Sequence, residues 1–437
     1  MESLDTILNS LHEKGSSVDE LKKLKSMIEP RISDNKSLDS IMKELIGEIT
    51  QETKNFVASK NKDGISYVSG FSSGIYLPTF DGSGEVNLLL TGGVGSRTNN
   101  NLVVNSSTMF DVASVTKLFT LILALKLSEE GIINLDDKIT DLNPDFKGLE
   151  DFTFNDLIRM HGILYTDGNV ATAHNEKEAF NILKTIYLKD NTRASNNYTD
   201  FGAIVIGKTI EKIISEREGK KITLNDIMNE YIYKRAGLTS TTFNPTSFNV
   251  SGNGRSDSLV HDPKARLLGG MVGSAGIFTT SSDLNKLAKS LYSVNYANLG
   301  LINKLNLKKL GEITFPDAKQ AGKGNLGVYV KHPLGYAKTF TPSVFSNDSF
   351  SHQGWTGSIA LFDPNNNVHF NFLPNAIFKS DNSELVRNDK PVEYGSCFDT
   401  YEEAIVNNIM IMLIVKKYYN MYKSQDITID EHISLNR

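Results

Sequence analysis

The chain has 437 residues, of which 39% are hydrophobic and 22% charged, with a net charge of −5 and a pI of about 6.0. That length carries one large core or two intertwined domains. The mild acidity argues against nucleic acid as a partner, and no basic run is long enough to seek an anionic membrane surface. Cys397 is the single cysteine, so no internal disulfide is expected. The histidines are scattered, with no H-E-x-x-H and no paired cysteines, so neither a metal nor another cofactor is expected.

From the N-terminus, Met1 to Asp5 lacks the basic and apolar regions of an export signal, which points to a cytoplasmic protein. Residues 1–36 read as an amphipathic helical extension, with Leu4, Ile7, Leu8 and Leu11, then Val18, Leu21, Leu24 and Ile28, at helical spacing. It either caps the domain or mediates self-association. A helix over 37–59 leads to strands at Gly74–Pro78 and Glu85–Leu90, joined as a hairpin through Asp81-Gly82-Ser83-Gly84. Gly92-Gly93-Val94-Gly95 lacks the lysine of a phosphate loop and reads as a turn.

The segment 114–335 is mostly helical in pattern, with Thr280-Ser281-Ser282-Asp283 as a capping box before Leu284 and Leu287. A second hairpin pairs Ser358–Phe362 with Val368–Phe372 across residues 363–367. The apolar run Ile409 to Val415 is too short to span a bilayer and reads as part of a buried helix over about 401–422. The pattern as a whole is α/β (α+β): a sheet domain from 37–113 and 336–437 around the helical domain 114–335, preceded by the extension 1–36.

Chemistry enters at Phe110-Asp111-Val112-Ala113-Ser114-Val115-Thr116-Lys117. Ser114 and Lys117, three apart, share a face at the start of a strongly apolar helix, where the hydroxyl meets the positive end and the ammonium reaches it. A serine is activated there without a histidine. Ser33 with Lys36, Ser40 with Lys43 and Ser59 with Lys62 have the same spacing but lack an apolar helix to bury the lysine. The spacing alone is therefore weak, and the case rests on two further segments.

Asn197-Tyr198-Thr199-Asp200 precedes an apolar helix, so Tyr198 can lean over a nearby serine while Asp200 either holds the lysine or caps the helix. In Ser351-His352-Gln353-Gly354-Trp355-Thr356-Gly357-Ser358, the glycines beside His352 let a ligand lie against the backbone, where a main-chain N–H can donate to an oxyanion.

The order S-x-x-K, then Y-x-D, then H-x-G resembles the serine beta-lactamase and penicillin-binding-protein superfamily, nearest the branch of class C beta-lactamases, D-aminopeptidases and related esterases. The resemblance runs from about Ser66 to Asn375. It includes Val260-His261-Asp262-Pro263 through Leu267-Leu268-Gly269-Gly270 to Gly273-Ser274-Ala275-Gly276-Ile277-Phe278, similar to the family's glycine-rich approach to a helix. It implies a beta-lactamase/transpeptidase-like fold, an antiparallel sheet flanked by N- and C-terminal helices with a large helical insertion.

It further implies Ser114 as the acylated nucleophile, Lys117 as general base or proton relay, and Tyr198 as second base. The backbone N–H groups of Ser114 and Trp355 would form the oxyanion hole beside Gly354, and His352 would serve a substrate carboxylate. Asp200 departs from the more usual asparagine; its charge would hold Lys117 protonated and favour Tyr198 as the base. The segment Leu157 to Leu164, containing His161, departs from L-L-x-H-x-S-G-L and reads as a loop shaping the site.

The function expected is hydrolysis of an ester or amide in a small molecule or short peptide, with esterase or D-amino-acid amidase activity ahead of lactam hydrolysis. The alternative is a catalytically inactive relative that binds or assembles through its N-terminal helices.

Overall fold

Strands from both ends of the chain build a seven-stranded sheet among the described residues, in the order β11-β2-β1-β10-β9-β8-β7, and its central strands are buried on both faces. In chain order the strands are β1 (Gly70–Pro78), β2 (Glu85–Gly93), β3 (Phe110–Asp111), β4 (Leu164–Tyr165), β5 (Tyr187–Leu188) and β6 (Phe278–Thr279). They continue with β7 (Tyr329–Val330), β8 (Phe350–Gln353), β9 (Ile359–Asp363), β10 (Val368–Pro374) and β11 (Ile429–Ser434). The computed structural model describes residues 2–436 apart from 34–35, 61–63, 65, 79–84, 96–101, 191, 194, 246–249, 252–259, 298–299, 313, 315–323, 332–340 and 377–394.

Both expected hairpins form: β1 pairs antiparallel with β2, and β9 with β10. The turn expected at residues 81–84 lies outside the described residues. Two expectations are corrected at the sheet's ends. Gly92 and Gly93 close β2 rather than making a turn, with Gly93 at φ +76° where the chain leaves the sheet. The sheet is also not wholly antiparallel, because β11 runs parallel to β2, with Ile429 opposite Val86 and Ser434 opposite Thr91. The long C-terminal helix, Gly395–Lys423, brings the chain back to the β2 end before β11, as a parallel neighbour requires a crossover.

Strand periodicity divides the core between the two faces of the sheet. On β10, Val368, Phe370 and Phe372 pack with the N- and C-terminal helices, while Leu373 faces the helical insertion. The first face carries α1 (Glu2–Glu13), α2 (Val18–Ser33), α3 (Leu38–Ala58) and the C-terminal helix. Ile409 to Val415 are buried nearly all round, because that helix lies among the sheet and the N-terminal helices. Phe56 stacks on Tyr401 at 4.6 Å between ring centroids.

The amphipathic face of the extension is covered by the chain itself: Leu4, Leu11, Leu24 and Ile28 are fully buried in that same core. The corner between α1 and α2 is tied down by Lys331, whose Nζ donates to the carbonyls of Gly15 (2.5 Å) and Ser343 (2.8 Å), and by Lys14, whose Nζ donates to the Asn365 carbonyl at 2.8 Å. Among the described residues no helix is long and apolar enough to cross a membrane.

The opposite face carries α4 (Thr116–Glu129), the helix Asp200–Glu218 and the helix Ser281–Tyr292. β7 also lies on this side of the sequence, inside the stretch read as mostly helical. The expected capping box at Thr280 is half formed. The Thr280 hydroxyl accepts from Asp283 N–H at 3.1 Å, but the Asp283 carboxylate turns away to accept from Ser240 N–H (2.6 Å) and Thr241 Oγ1 (2.9 Å).

Candidate active site

Ser114 sits in a 3₁₀ turn, Ala113–Val115, that runs directly into α4. Its hydroxyl is thus placed at the positive end of the helix, as the sequence suggests. Ala113, the residue before it, is left-handed at φ +45°, a conformation that costs a side chain about 1 kcal/mol or more and needs to be held. The hold comes from the buried Asp111, whose Oδ1 accepts from Ala113 N–H at 2.8 Å and Oδ2 from His261 N–H at 2.7 Å. Burial pushes the Asp111 carboxyl up to about 6 against these two hydrogen bonds, which favour the charged form.

Lys117 is fully buried one turn into α4. Its ammonium donates to Ser114 Oγ at 3.0 Å, to Asp200 Oδ1 at 2.8 Å and to the carbonyl of Ser274 at 3.1 Å. Burial alone would drive Lys117 towards the neutral form. The Asp200 carboxylate, with Tyr198, outweighs this and holds the ammonium above its ordinary range. The Tyr198 ring lies beside it, with Nζ 5.1 Å from the ring centroid.

The glycine-rich stretch explains how the Ser274 carbonyl reaches so far inside. A Cβ on Gly273 would lie 2.1 Å from the Ala203 carbonyl oxygen, so only glycine lets this backbone pass between α4 and the helix Asp200–Glu218. Thr120 Oγ1 donates to the Gly273 carbonyl at 2.7 Å, and the Thr116 hydroxyl accepts from Ile277 N–H at 3.2 Å.

Asp200 is not the helix cap. Thr199 takes that place, its hydroxyl accepting from Phe201 N–H at 3.2 Å, which leaves both Asp200 oxygens for lysines. The second is Lys264, with Nζ 2.5 Å from Asp200 Oδ2. These two cations hold the Asp200 carboxyl well below its usual range despite burial. Lys264 and Asp111 lie within the segments that carry the resemblance, but no spacing rule singles either of them out.

Tyr198 is approached by a backbone shelf. Leu326 at φ +48° and Gly327 at φ +75° form a turn so close that a Cβ on Gly327 would lie 2.2 Å from Tyr198 Cε2. The loop around His161 does shape this region. Asn197 N–H donates to the Met160 carbonyl at 3.0 Å and Gly162 N–H to the Ser195 carbonyl at 2.6 Å, while His161 Nδ1 lies 3.1 Å from Asp156 Oδ1.

The third motif reaches Ser114 through its backbone. A Cβ on Gly354 would lie 2.3 Å from the Val112 carbonyl oxygen, and Thr356 Oγ1 donates to the Asp111 carbonyl at 2.7 Å, so residues 354–356 lie against the turn that carries Ser114. Trp355 is thereby held beside that turn while its side chain stays 52% exposed. His352 is placed otherwise than a substrate contact would require. Its ring is 1% exposed, with Nδ1 3.0 Å from the Gln353 carbonyl and Nε2 3.3 Å from the Leu326 carbonyl.

The decoy lysines have other partners: Lys36 pairs with Glu44 at 2.9 Å and Lys43 with Asp39 at 2.8 Å, while Lys62 lies outside the described residues. Among the described residues, no cluster of side chains has the makings of a metal site.

The beta-lactamase family profile matches residues 82–389. A protein of Escherichia coli (strain K12), provisionally named D-alanyl-D-alanine carboxypeptidase, is 26% identical over 312 residues, covering 62% of this chain and 69% of its own length. Among solved structures, the hydrolase EstCE1, described as having promiscuous acyltransferase activity, superposes with a TM-score of 0.59 at 15% identity, covering 85% of this chain and 99% of its own. A class C beta-lactamase in complex with cefoxitin gives 0.57 at 16% identity, covering 84% and 98%. The mixed sheet flanked by helices is thus the beta-lactamase/transpeptidase-like fold, and this chain belongs to the beta-lactamase family.

Proposed function

We propose that the protein is a serine hydrolase that cleaves an ester or amide through an acyl-enzyme on Ser114. The observation that carries this reading is the Lys117 ammonium 3.0 Å from Ser114 Oγ, at the start of α4 and with Asp200 behind it. Because Lys117 is held protonated and donates to the hydroxyl, it acts as the group that stabilises the developing alkoxide. Tyr198 Oη then takes the proton from Ser114 Oγ as that oxygen bonds to the carbonyl carbon. The same proton goes to the leaving group when the tetrahedral centre collapses, and a water repeats the cycle on the acyl-enzyme. The N–H groups of Ser114 and Trp355 receive the oxyanion.

Neutral esters and D-amino-acid amides are the substrates this reading favours over lactams. The name of the Escherichia coli relative and the hydrolase EstCE1 support the acyl class. His352, occupied by backbone carbonyls, argues against strong recognition of a substrate carboxylate at that position. The test is turnover of a chromogenic short-chain ester beside nitrocefin, in the wild type and in Ser114→Ala. A nitrocefin efficiency ten times that of the ester reverses the substrate ranking, and ester turnover retained in Ser114→Ala removes the mechanism.

A further inference from the structure

Lys264 stands in the short helix Pro263–Leu267, which is fixed at both sides of its start. The Asp262 carboxylate caps it by accepting from Ala265 N–H at 2.7 Å, and His261 N–H is held by Asp111 at 2.7 Å. From there its ammonium meets Asp200 Oδ2 at 2.5 Å, while Lys117 occupies Oδ1 at 2.8 Å. One carboxylate therefore bridges two ammonium groups, one fully buried and one whose side chain is 28% exposed.

The charges decide what this arrangement does. An asparagine at position 200 would bring none; Asp200 brings one negative charge and Lys264 one positive, so the pair sums to zero. We propose that Lys264 neutralises Asp200, leaving the charge around Lys117 and Tyr198 as an asparagine would leave it, and thereby sets the pH range in which Ser114 is acylated. Lys264 acts through Asp200 and is a positioning residue, not a catalytic one. The inference rests on the serine hydrolase reading.

The charged and titratable groups around the bridge are Lys117 from α4, Tyr198 beside Lys117, and Asp262 beside Lys264. Burial pulls the Lys264 ammonium down, but Asp200 and Asp262 more than compensate, so it stays charged through the neutral range. With that charge present, a proton leaves the site more readily; with it gone, the uncompensated Asp200 holds protons on its neighbours. The direction follows from the sign of the charge that Lys264 brings.

The experiment is the rate of fluorophosphonate labelling at Ser114 against pH, for the wild type, Lys264→Met, Lys264→Arg, Asp200→Asn and the double variant Asp200→Asn/Lys264→Met. Lys264→Met is expected to raise the midpoint of the acidic limb by about one pH unit, as loss of a like charge one carboxylate away should. Lys264→Arg keeps the wild-type midpoint, Asp200→Asn lowers it, and the double variant returns it to within a few tenths. An unchanged midpoint in folded Lys264→Met overturns the proposal. Should that variant fail to fold, the comparison is between Asp200→Asn and the double variant, which leave no unpaired carboxylate; equal midpoints there overturn it too. Absence of label on wild-type Ser114 instead overturns the hydrolase reading and this inference with it.

Discussion

Gly327 lies so close beneath Tyr198 that a methyl group there would sit 2.2 Å from the ring carbon Cε2. The turn that brings it there holds consecutive left-handed residues, Leu326 and Gly327, and His352 Nε2 lies 3.3 Å from the Leu326 carbonyl. The Tyr198 ring is thus positioned by backbone. Gly327→Ala is expected to displace the phenol and to lower kcat about tenfold or more, with a smaller change in KM. In a Tyr198→Phe background the same substitution should cost little, because the phenol it acts through is already gone. A full tenfold loss in both backgrounds would assign Gly327 to stability alone.

Lys117 and Tyr198 should behave as one unit. Lys117→Ala and Tyr198→Phe are each expected to cost at least about a hundredfold in kcat/KM, with the double variant falling well short of the product. Steady-state kinetics on a chromogenic ester decides it. Fully multiplicative losses would separate the two roles.

His352→Ala should reduce turnover of neutral and carboxylate-bearing substrates by the same factor, since the ring engages backbone carbonyls in β8 and at Leu326. Loss of the buried hydrogen bond that one ring nitrogen donates, and of the ring's packing, should also lower stability by about 1–3 kcal/mol, read from denaturant unfolding. A selective loss on carboxylate substrates would return His352 to substrate binding.

Asp111 ties the turn that carries Ser114 to pH. Its carboxyl is raised by burial from 3.8 to about 6 in the folded protein, so between those values the folded state binds more protons than the unfolded chain. Stability contributed by this group therefore falls as pH rises from about 4 to 6 and is level above, by an amount on the order of 3 kcal/mol. Asp111→Asn removes that slope while leaving one acceptor for Ala113 or His261. Unfolding free energies of both proteins at pH 4 and 7 test it; parallel pH dependences would show that Asp111 does not titrate in this window.

The parts of the molecule legible in the sequence were those governed by short-range pattern. Alternation announced β1, β2, β9 and β10, the apolar run Ile409 to Val415 announced the buried helix, and the order of Ser114, Lys117 and Tyr198 pointed to the candidate site. What pattern left hidden depends on packing across long separations. β11 is a polar edge strand whose pairing with β2 spans more than 340 residues, and nothing local marks it. Lys264 was concealed for the same reason, since its meaning comes from Asp200, a residue on another helix. Local pattern left Asp200 open between lysine partner and helix cap, and Thr199 takes the cap; His352 reads as a ligand-facing donor, but its ring is buried.

The central claim is that Ser114 is the nucleophile. Its most direct measurement is mass-spectrometric mapping of the adduct after the intact protein reacts with a fluorophosphonate, in parallel with Ser114→Ala, whose turnover should fall by several kcal/mol of transition-state stabilisation. A single covalent adduct is expected on the peptide containing Ser114, absent from the variant. An adduct on another residue, or one that persists in Ser114→Ala, would contradict it.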